Sequence, residues 1–162
     1  NKDIVLCIQG DEPMLTPKMI NILIKPIKSK ISVATMLGII INSDDMWRNR
    51  DILKIIYNKK KEILYTSRSP IPYINNFSKE YKIPRIGGIF AFIKKNLIEF
   101  TNFKETYLEK IESCDSNRIL DMDFCQHVVL HPAGNYFSVD TKLDLTKVEN
   151  EFKKNSNYKK YL

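Results

Sequence analysis

Short apolar runs separated by polar turns divide this chain into alternating strand-like and helix-like segments, the pattern of an α/β fold. Residues 4–8 (Ile-Val-Leu-Cys-Ile) form an unbroken apolar run, as in a strand buried on both faces. Gln9-Gly10-Asp11-Glu12-Pro13 stops it: glycine permits a tight turn, and proline cannot donate to a ladder. From Thr16 to about Lys25, Met19, Ile20, Leu23 and Ile24 recur at helical spacing, with Pro17 in the first turn. Residues 31–37, apolar onward to Ile41, predict a second buried strand, and 42–47 a short capped turn. Residues 52–57 and 63–66 flank Asn58-Lys59-Lys60-Lys61-Glu62, which predicts a hairpin. Pro70, Pro72 and Pro84 make 69–86 a loop of the kind that covers a site or reaches onto a partner subunit. A strand is expected over 86–92, a short helix over 94–100, a longer helix over 105–120 and strands over 124–130 and 137–139. A last helix begins at Thr141, with Leu145 and Val148 on its packed side.

With 162 residues, 43% of them hydrophobic and 28% charged, the chain can bury one core as a single α/β domain spanning 1–162. No apolar run approaches the ~18 residues of a membrane span, and no signal peptide opens the chain, so a cytoplasmic protein without membrane contact is expected. Its three cysteines are odd in number and lack a CxxC spacing, which predicts reduced thiols. The net charge of +7 is scattered among Asn and Ile, with no basic-aromatic stripe, so a solvated surface is the reading and nucleic acid is not an expected partner.

The chemistry gathers where the first strand ends. In open α/β sheets ligands bind at the carboxyl edge. Asp11, joined there by a second Asp from another strand, can hold Mg²⁺ against nucleotide phosphates; alternatively, Asp11 and Glu12 cap the helix that starts near Thr16. Asp140 offers the second carboxylate if residues 4–8 and 137–139 are parallel central strands whose ends meet, or it is only the N-cap of the Thr141 helix. Cys125, His127 and His131 alternate onto one face of a strand, but structural zinc takes four ligands from at least two segments, so an ordinary sheet face is the reading.

Five motifs in order give these residues a family context. Gln9-Gly10-Asp11-Glu12-Pro13, Tyr65-Thr66-Ser67-Arg68-Ser69-Pro70-Ile71-Pro72, Gly88-Ile89-Phe90-Ala91-Phe92, the stretch from Leu108 through Arg118-Ile119-Leu120, and Val139-Asp140-Thr141 with Asp144-Leu145 resemble those of the 3-deoxy-manno-octulosonate (KDO) cytidylyltransferases. The resemblance covers residues 4 to about 150 and implies a Rossmann-like nucleotidyltransferase sheet, mixed and mostly parallel, with an added hairpin. It also implies that the amino-terminal part, with its phosphate-gripping loop, is missing, so that this chain is a fragment expected to be inactive alone. The implied activity is transfer from CTP to a KDO-like 2-keto sugar acid, for surface polysaccharide or lipopolysaccharide synthesis. The implied cofactor is Mg²⁺ on Asp11 and Asp140, with Gln9, Arg68, Glu109, Glu112 and Asp115 binding substrate. A homodimer is implied as well, with the hairpin and dimerisation region at about 49–120.

Departures collect around the sugar. Ile86 stands where the family has histidine, Phe90 and Phe92 where it has tyrosine, and Asp115-Ser116 where it has Glu-Gln. Each removes or shortens a polar reach, which points to a different 2-keto acid or a diverged paralogue. The competing expectation is a non-catalytic dimerisation or regulatory fragment.

Overall fold

The structure, a computed structural model, describes residues 3–132, 136 and 138–154. Among these, six strands form one sheet: β1 (Ile4–Ile8), β2 (Ala34–Ile40), β3 (Lys54–Tyr57), β4 (Ile63–Ser67), β5 (Pro84–Ile93) and β6 (Gln126–His131). The helices are α1 (Pro17–Leu23), α2 (Lys25–Lys28), α3 (Asp44–Arg48), α4 (Lys94–Asn102), α5 (Tyr107–Glu112), α6 (Ser116–Asp121) and α7 (Lys142–Lys154).

The longest strand, β5, is the hub. On one side it pairs along its length with β2. On the other, β1 pairs with its second half and β3 meets its start at Lys54↔Arg85. Both β1 and β3 run antiparallel to β5, so the end of β1 faces the start of β3 across the Gly87–Gly88 step. Gln9 N–H donates to the Gly88 carbonyl (3.0 Å), and Ile86 N–H to the Leu53 carbonyl (3.0 Å). The sheet order is β4-β3-β5-β2-β6, with β1 beside β5.

Alternation along the strands builds a core on each face. Leu37, Ile39, Ile89, Ala91 and Ile93 pack with Met19 and Leu23 of α1, Ile27 of α2 and Val148 of α7. Opposite them, Ala34 and Phe92 pack with Ile119 of α6 and with Leu97 and Phe100 of α4, while Met36, Ile55, Ile63 and Val128 extend that layer under the hairpin. A mixed sheet between two helical layers is therefore the architecture, and the hairpin lies where its sequence pattern places it.

Four expectations change. The sheet is mixed but not mostly parallel: only β2 and β6 pair in parallel among the described strands. Residues 4–8 are not buried on both faces; β1 is half-buried, with Ile8 46% exposed, because β5 is its one partner among the described residues. The helix expected over 105–120 is two, broken at Ser113, whose φ of 48° ends α5 in the left-handed region. The strand expected over 137–139 falls partly on Phe137, outside the described residues, and Ser138 and Val139 lie in irregular chain.

Gly88 has φ +63°, a conformation that costs an L-residue about 1–2 kcal/mol. A Cβ there would lie 2.7 Å from Gln9 Oε1 and closer still to Glu12. Gly88→Ala is expected to lower stability by about 2 kcal/mol or more, read as a fall in Tm by thermal melting. A Tm equal to that of the parent would contradict this backbone assignment.

Candidate active site

The loop after β1 is free of the helix it precedes. Thr16 caps α1 with its own hydroxyl, accepting from Met19 N–H at 3.4 Å, so neither Asp11 nor Glu12 is spent on that helix. Thr141 likewise serves α7: its hydroxyl accepts from Asp144 N–H (3.2 Å), while Asp144 accepts from Thr141 N–H (3.1 Å). This reciprocal capping box leaves Asp140 exposed and outside the helix. The capping alternatives for Asp11 and Asp140 are thereby removed.

The chain segments that carry the two aspartates meet, though not as the ends of two parallel central strands. Val139 N–H donates to the Asp11 carbonyl (2.9 Å), placing Asp140 beside the 9–12 loop, and Ser138 Oγ donates to Glu12 Oε1 (2.8 Å). Beneath them lies Arg85, whose guanidinium donates to the carbonyls of Ile86 (3.1 Å) and Tyr136 (3.5 Å). Burial works against the charge of Arg85, while Glu12, Tyr136 and Asp140 favour it. Burial also pushes Glu12 up, opposed by hydrogen bonds from Tyr136 and Ser138 and by the charge of Arg85. Glu12 Oε2 is buried and has no hydrogen-bond partner among the described residues. Asp11 acts on Glu12, and Glu12 and Asp140 on Arg85, so the corner gathers more negative than positive charge without the three carboxylates converging on one point.

Of the other expected substrate contacts, Gln9 stays with Asp11, while Arg68, Glu109 and Glu112 form a second group. Gln9 is exposed, its amide oxygen standing over Gly88 on the same loop as Asp11. Arg68, just beyond β4, is tied to its surroundings: Nε donates to Glu112 O (3.0 Å), and the terminal nitrogens to the carbonyls of Arg50, Asp51 and Ser113. Glu112 accepts from Tyr65 Oη (3.0 Å), Ser67 Oγ (2.6 Å) and Arg68 N–H (2.9 Å). Burial would raise its carboxyl, but these donors outweigh it and hold it low. Glu109 is buried against Arg118, which grips both of its oxygens and pulls its pKa down; it also closes a capping box with Thr106. Of Glu109, Glu112 and Asp115, only Asp115 is exposed. Glu109 and Glu112 therefore hold the frame that carries Arg68. Phe92 stacks on Phe100 (5.9 Å between centroids) inside the core, and Phe90 is packed in the same layer.

Under this frame lies Lys54, fully buried at 0% exposure, whose ammonium donates to the carbonyls of Asn49, Ile52 and Arg68. Arg85 and Lys54 are not among the residues singled out from the sequence, and Glu12 is read there only as a helix cap. Lys54 and Arg85 are paired neighbours on adjacent strands, a relation that no local pattern reveals. A hollow of about 650 Å³ at the far end of β5, by Ile93 and Lys94, contains none of these groups.

Comparison with known proteins bears on this corner. Residues 1–129 match the family model described as cytidylyltransferase. The 3-deoxy-manno-octulosonate cytidylyltransferase of Chloroherpeton thalassium is 34% identical over 150 residues, covering 91% of this chain and 61% of that protein. The enzyme of the same name from Elusimicrobium minutum is 34% identical over 161 residues, 96% of this chain and 64% of the other. A solved CMP:2-keto-3-deoxy-manno-octonic acid synthetase complexed with CTP superposes with a TM-score of 0.83 at 27% identity, over 94% of this chain and 62% of that one. A Bacillus anthracis glucose-1-phosphate thymidylyltransferase shares the fold, with a TM-score of 0.60 at 14% identity. The chain spans about three-fifths of the length of these curated relatives.

Burial pulls Lys54 down from 10.5 to about 8, while Glu112 pulls it up and Arg68 down. A folded pKa below the unfolded one means that the unfolded chain binds more protons between about pH 8 and 10.5, so stability rises with pH across that window. In Lys54→Met this contribution to the slope is expected to vanish, as measured by urea unfolding of both proteins at pH 8 and pH 10. Parallel slopes would contradict it.

Proposed function

This chain belongs to the cytidylyltransferase family, and on that premise we propose that the intact protein transfers the cytidylyl group of CTP to a KDO-like 2-keto sugar acid. The products are a CMP-sugar and pyrophosphate, and the activated sugar serves surface polysaccharide or lipopolysaccharide synthesis. The names of the relatives and the CTP complex of the solved synthetase support this substrate pair. The observation that supports it is the Val139–Asp11 backbone hydrogen bond, which sets the segment of Asp140 beside the loop of Asp11, with threonines capping the adjoining helices in their place.

In the reaction the anomeric hydroxyl of the sugar acid attacks the α-phosphorus of CTP. The new oxygen–phosphorus bond forms as the bond to the β-phosphate oxygen breaks, and the hydroxyl proton is lost. Such transfers depend on alignment and on neutralising phosphate charge. The chemistry of the two aspartates fits Mg²⁺, which takes oxygen ligands, and the unpartnered Glu12 Oε2 nearby adds negative charge. Asp11 and Asp140 would hold the ion, which supplies charge neutralisation at the phosphates when bound. Gln9 orients the sugar from the same loop. Arg85 keeps Glu12 and Asp140 from driving the two loops apart. Arg68, immobilised by four backbone carbonyls and by Glu112, presents a fixed positive rim to the anionic substrate. Asp115 is the acid of the fourth motif that remains open to a sugar hydroxyl.

Among the described residues no helix is long and apolar enough to cross a membrane; we assign the work to the cytoplasm on the strength of the proposed use of CTP. The region 49–120 carries Leu64, Tyr107 and Ile111 exposed on its surface, and we assign it the contact of a homodimer.

Incubating the intact protein with CTP, Mg²⁺ and 3-deoxy-manno-octulosonate is expected to release pyrophosphate; silence with every 2-keto sugar acid tried would refute the assignment. Asp140→Asn should lower turnover by about 100-fold or more at unchanged Tm, because Thr141, not Asp140, caps α7. Near-parental turnover at limiting Mg²⁺ would remove Asp140 from the site.

A further inference from the structure

At the opposite edge of the sheet, a second set of ligand atoms converges. Glu62 closes the hairpin turn, and Cys125 and His127 lie at the start of β6; one ligand atom from each falls within 4.8 Å of the others. Although β4 and β6 end opposite sides of the strand order, the turn curls back onto β6. Val128 N–H donates to the Lys61 carbonyl (2.9 Å), and Glu62 forms a bridge with His127. Backbone pairing therefore holds the three side chains in register.

Their spacing is that of a coordination polyhedron. Tetrahedral zinc, with bonds of about 2.3 Å to sulfur and about 2.1 Å to nitrogen or oxygen, sets its ligand atoms about 3.6 Å apart. Cys125 Sγ lies 3.5 Å from His127 Nδ1 and 4.0 Å from Glu62 Oε1. The group is largely shielded from solvent. His127 is only 4% exposed, its Nδ1 faces the thiol, and the contact of the thiol to the Ile31 carbonyl is a long 3.8 Å. Glu62 is oriented by Asn58, whose amide donates to its other oxygen (2.5 Å), as a supporting residue orients a ligating carboxylate. Glu62 and Cys125 border an open hollow of about 330 Å³, which admits water as a fourth ligand.

We propose that Glu62, Cys125 and His127 form a binding site for a zinc-like divalent cation, which clips the hairpin turn to β6. A thiolate, a carboxylate and a neutral imidazole together carry two negative charges, which a divalent ion cancels; the thiol proton leaves to solvent as the ion enters. Sulfur and imidazole select a borderline ion over Mg²⁺, so this site is chemically separate from the oxygen-only corner at Asp11 and Asp140. His131, which the strand alternation groups with Cys125 and His127, is no part of it; its ring bonds the Pro132 carbonyl instead.

Titrating the reduced, purified protein with Co²⁺ tests the proposal. The expected result is uptake of one ion per chain with a thiolate-to-cobalt charge-transfer band, displaced by Zn²⁺. The band should survive in Cys7→Ser and vanish in Cys125→Ser, and Zn²⁺ should raise the Tm of the parent but not of Cys125→Ser. Circular dichroism establishes that Cys125→Ser is folded. Glu62→Gln should keep the band while weakening Zn²⁺ binding. Absence of Co²⁺ uptake by the folded parent, uptake without a thiolate band, or a band that persists in Cys125→Ser would overturn it.

Discussion

Everything at the candidate active site depends on how β5 is paired. One strand of ten residues serves β2 along one side and is shared on the other by β1 and β3, whose facing ends leave the Gly87–Gly88 step between them. The left-handed Gly88 has no side chain, so the loop after β1 can lie directly over the strand, with the side chains of Gln9 and Glu12 above the glycine. A bulkier residue would lift that loop and separate Asp11 from Val139. The carboxylate corner thus follows from a backbone constraint three residues along β5 from Arg85, the cation that keeps it together.

The hairpin is held by buried polar contacts rather than by apolar area alone. Thr66 and Asn117 exchange side-chain and backbone hydrogen bonds between β4 and α6. Glu109 and Arg118 pair with little exposure, and Lys54 gives its ammonium to three carbonyls. Such groups are costly if left unmatched, so they specify one arrangement of β3, β4, α5 and α6. In that arrangement Arg68 has a single place to stand. The family resemblance implies a role for it toward the substrate, and its guanidinium is held in place by neighbouring carbonyls.

Period-two alternation and turn chemistry made the hairpin, the β5 strand and the α/β class legible in the sequence. The same reasoning misjudged β1, because an apolar run reads as two-sided burial whether or not a second neighbour is present. It fused α5 and α6 because Leu108, Ile111, Ile119 and Leu120 suggest one periodic face; Ile111 is in fact exposed, and Ser113 breaks the helix. The Thr-x-x-Asp spacing of Thr141 and Asp144 was readable as a capping box and would have freed Asp140 from that duty at once. Arg85 meeting Glu12, and Glu62 meeting Cys125 and His127, had no local signal. Each pair is brought together by strand pairing between segments more than 60 residues apart in the chain.

The central claim is that Asp11 and Asp140 are one cation site on the nucleotide's phosphates. Crystals of the intact protein grown with CTP and Mn²⁺ in place of Mg²⁺ test it most directly, through anomalous scattering at the manganese edge. The account predicts a peak between the Asp11 and Asp140 carboxylates, in contact with the triphosphate. A bound nucleotide whose manganese lies away from both aspartates would contradict it.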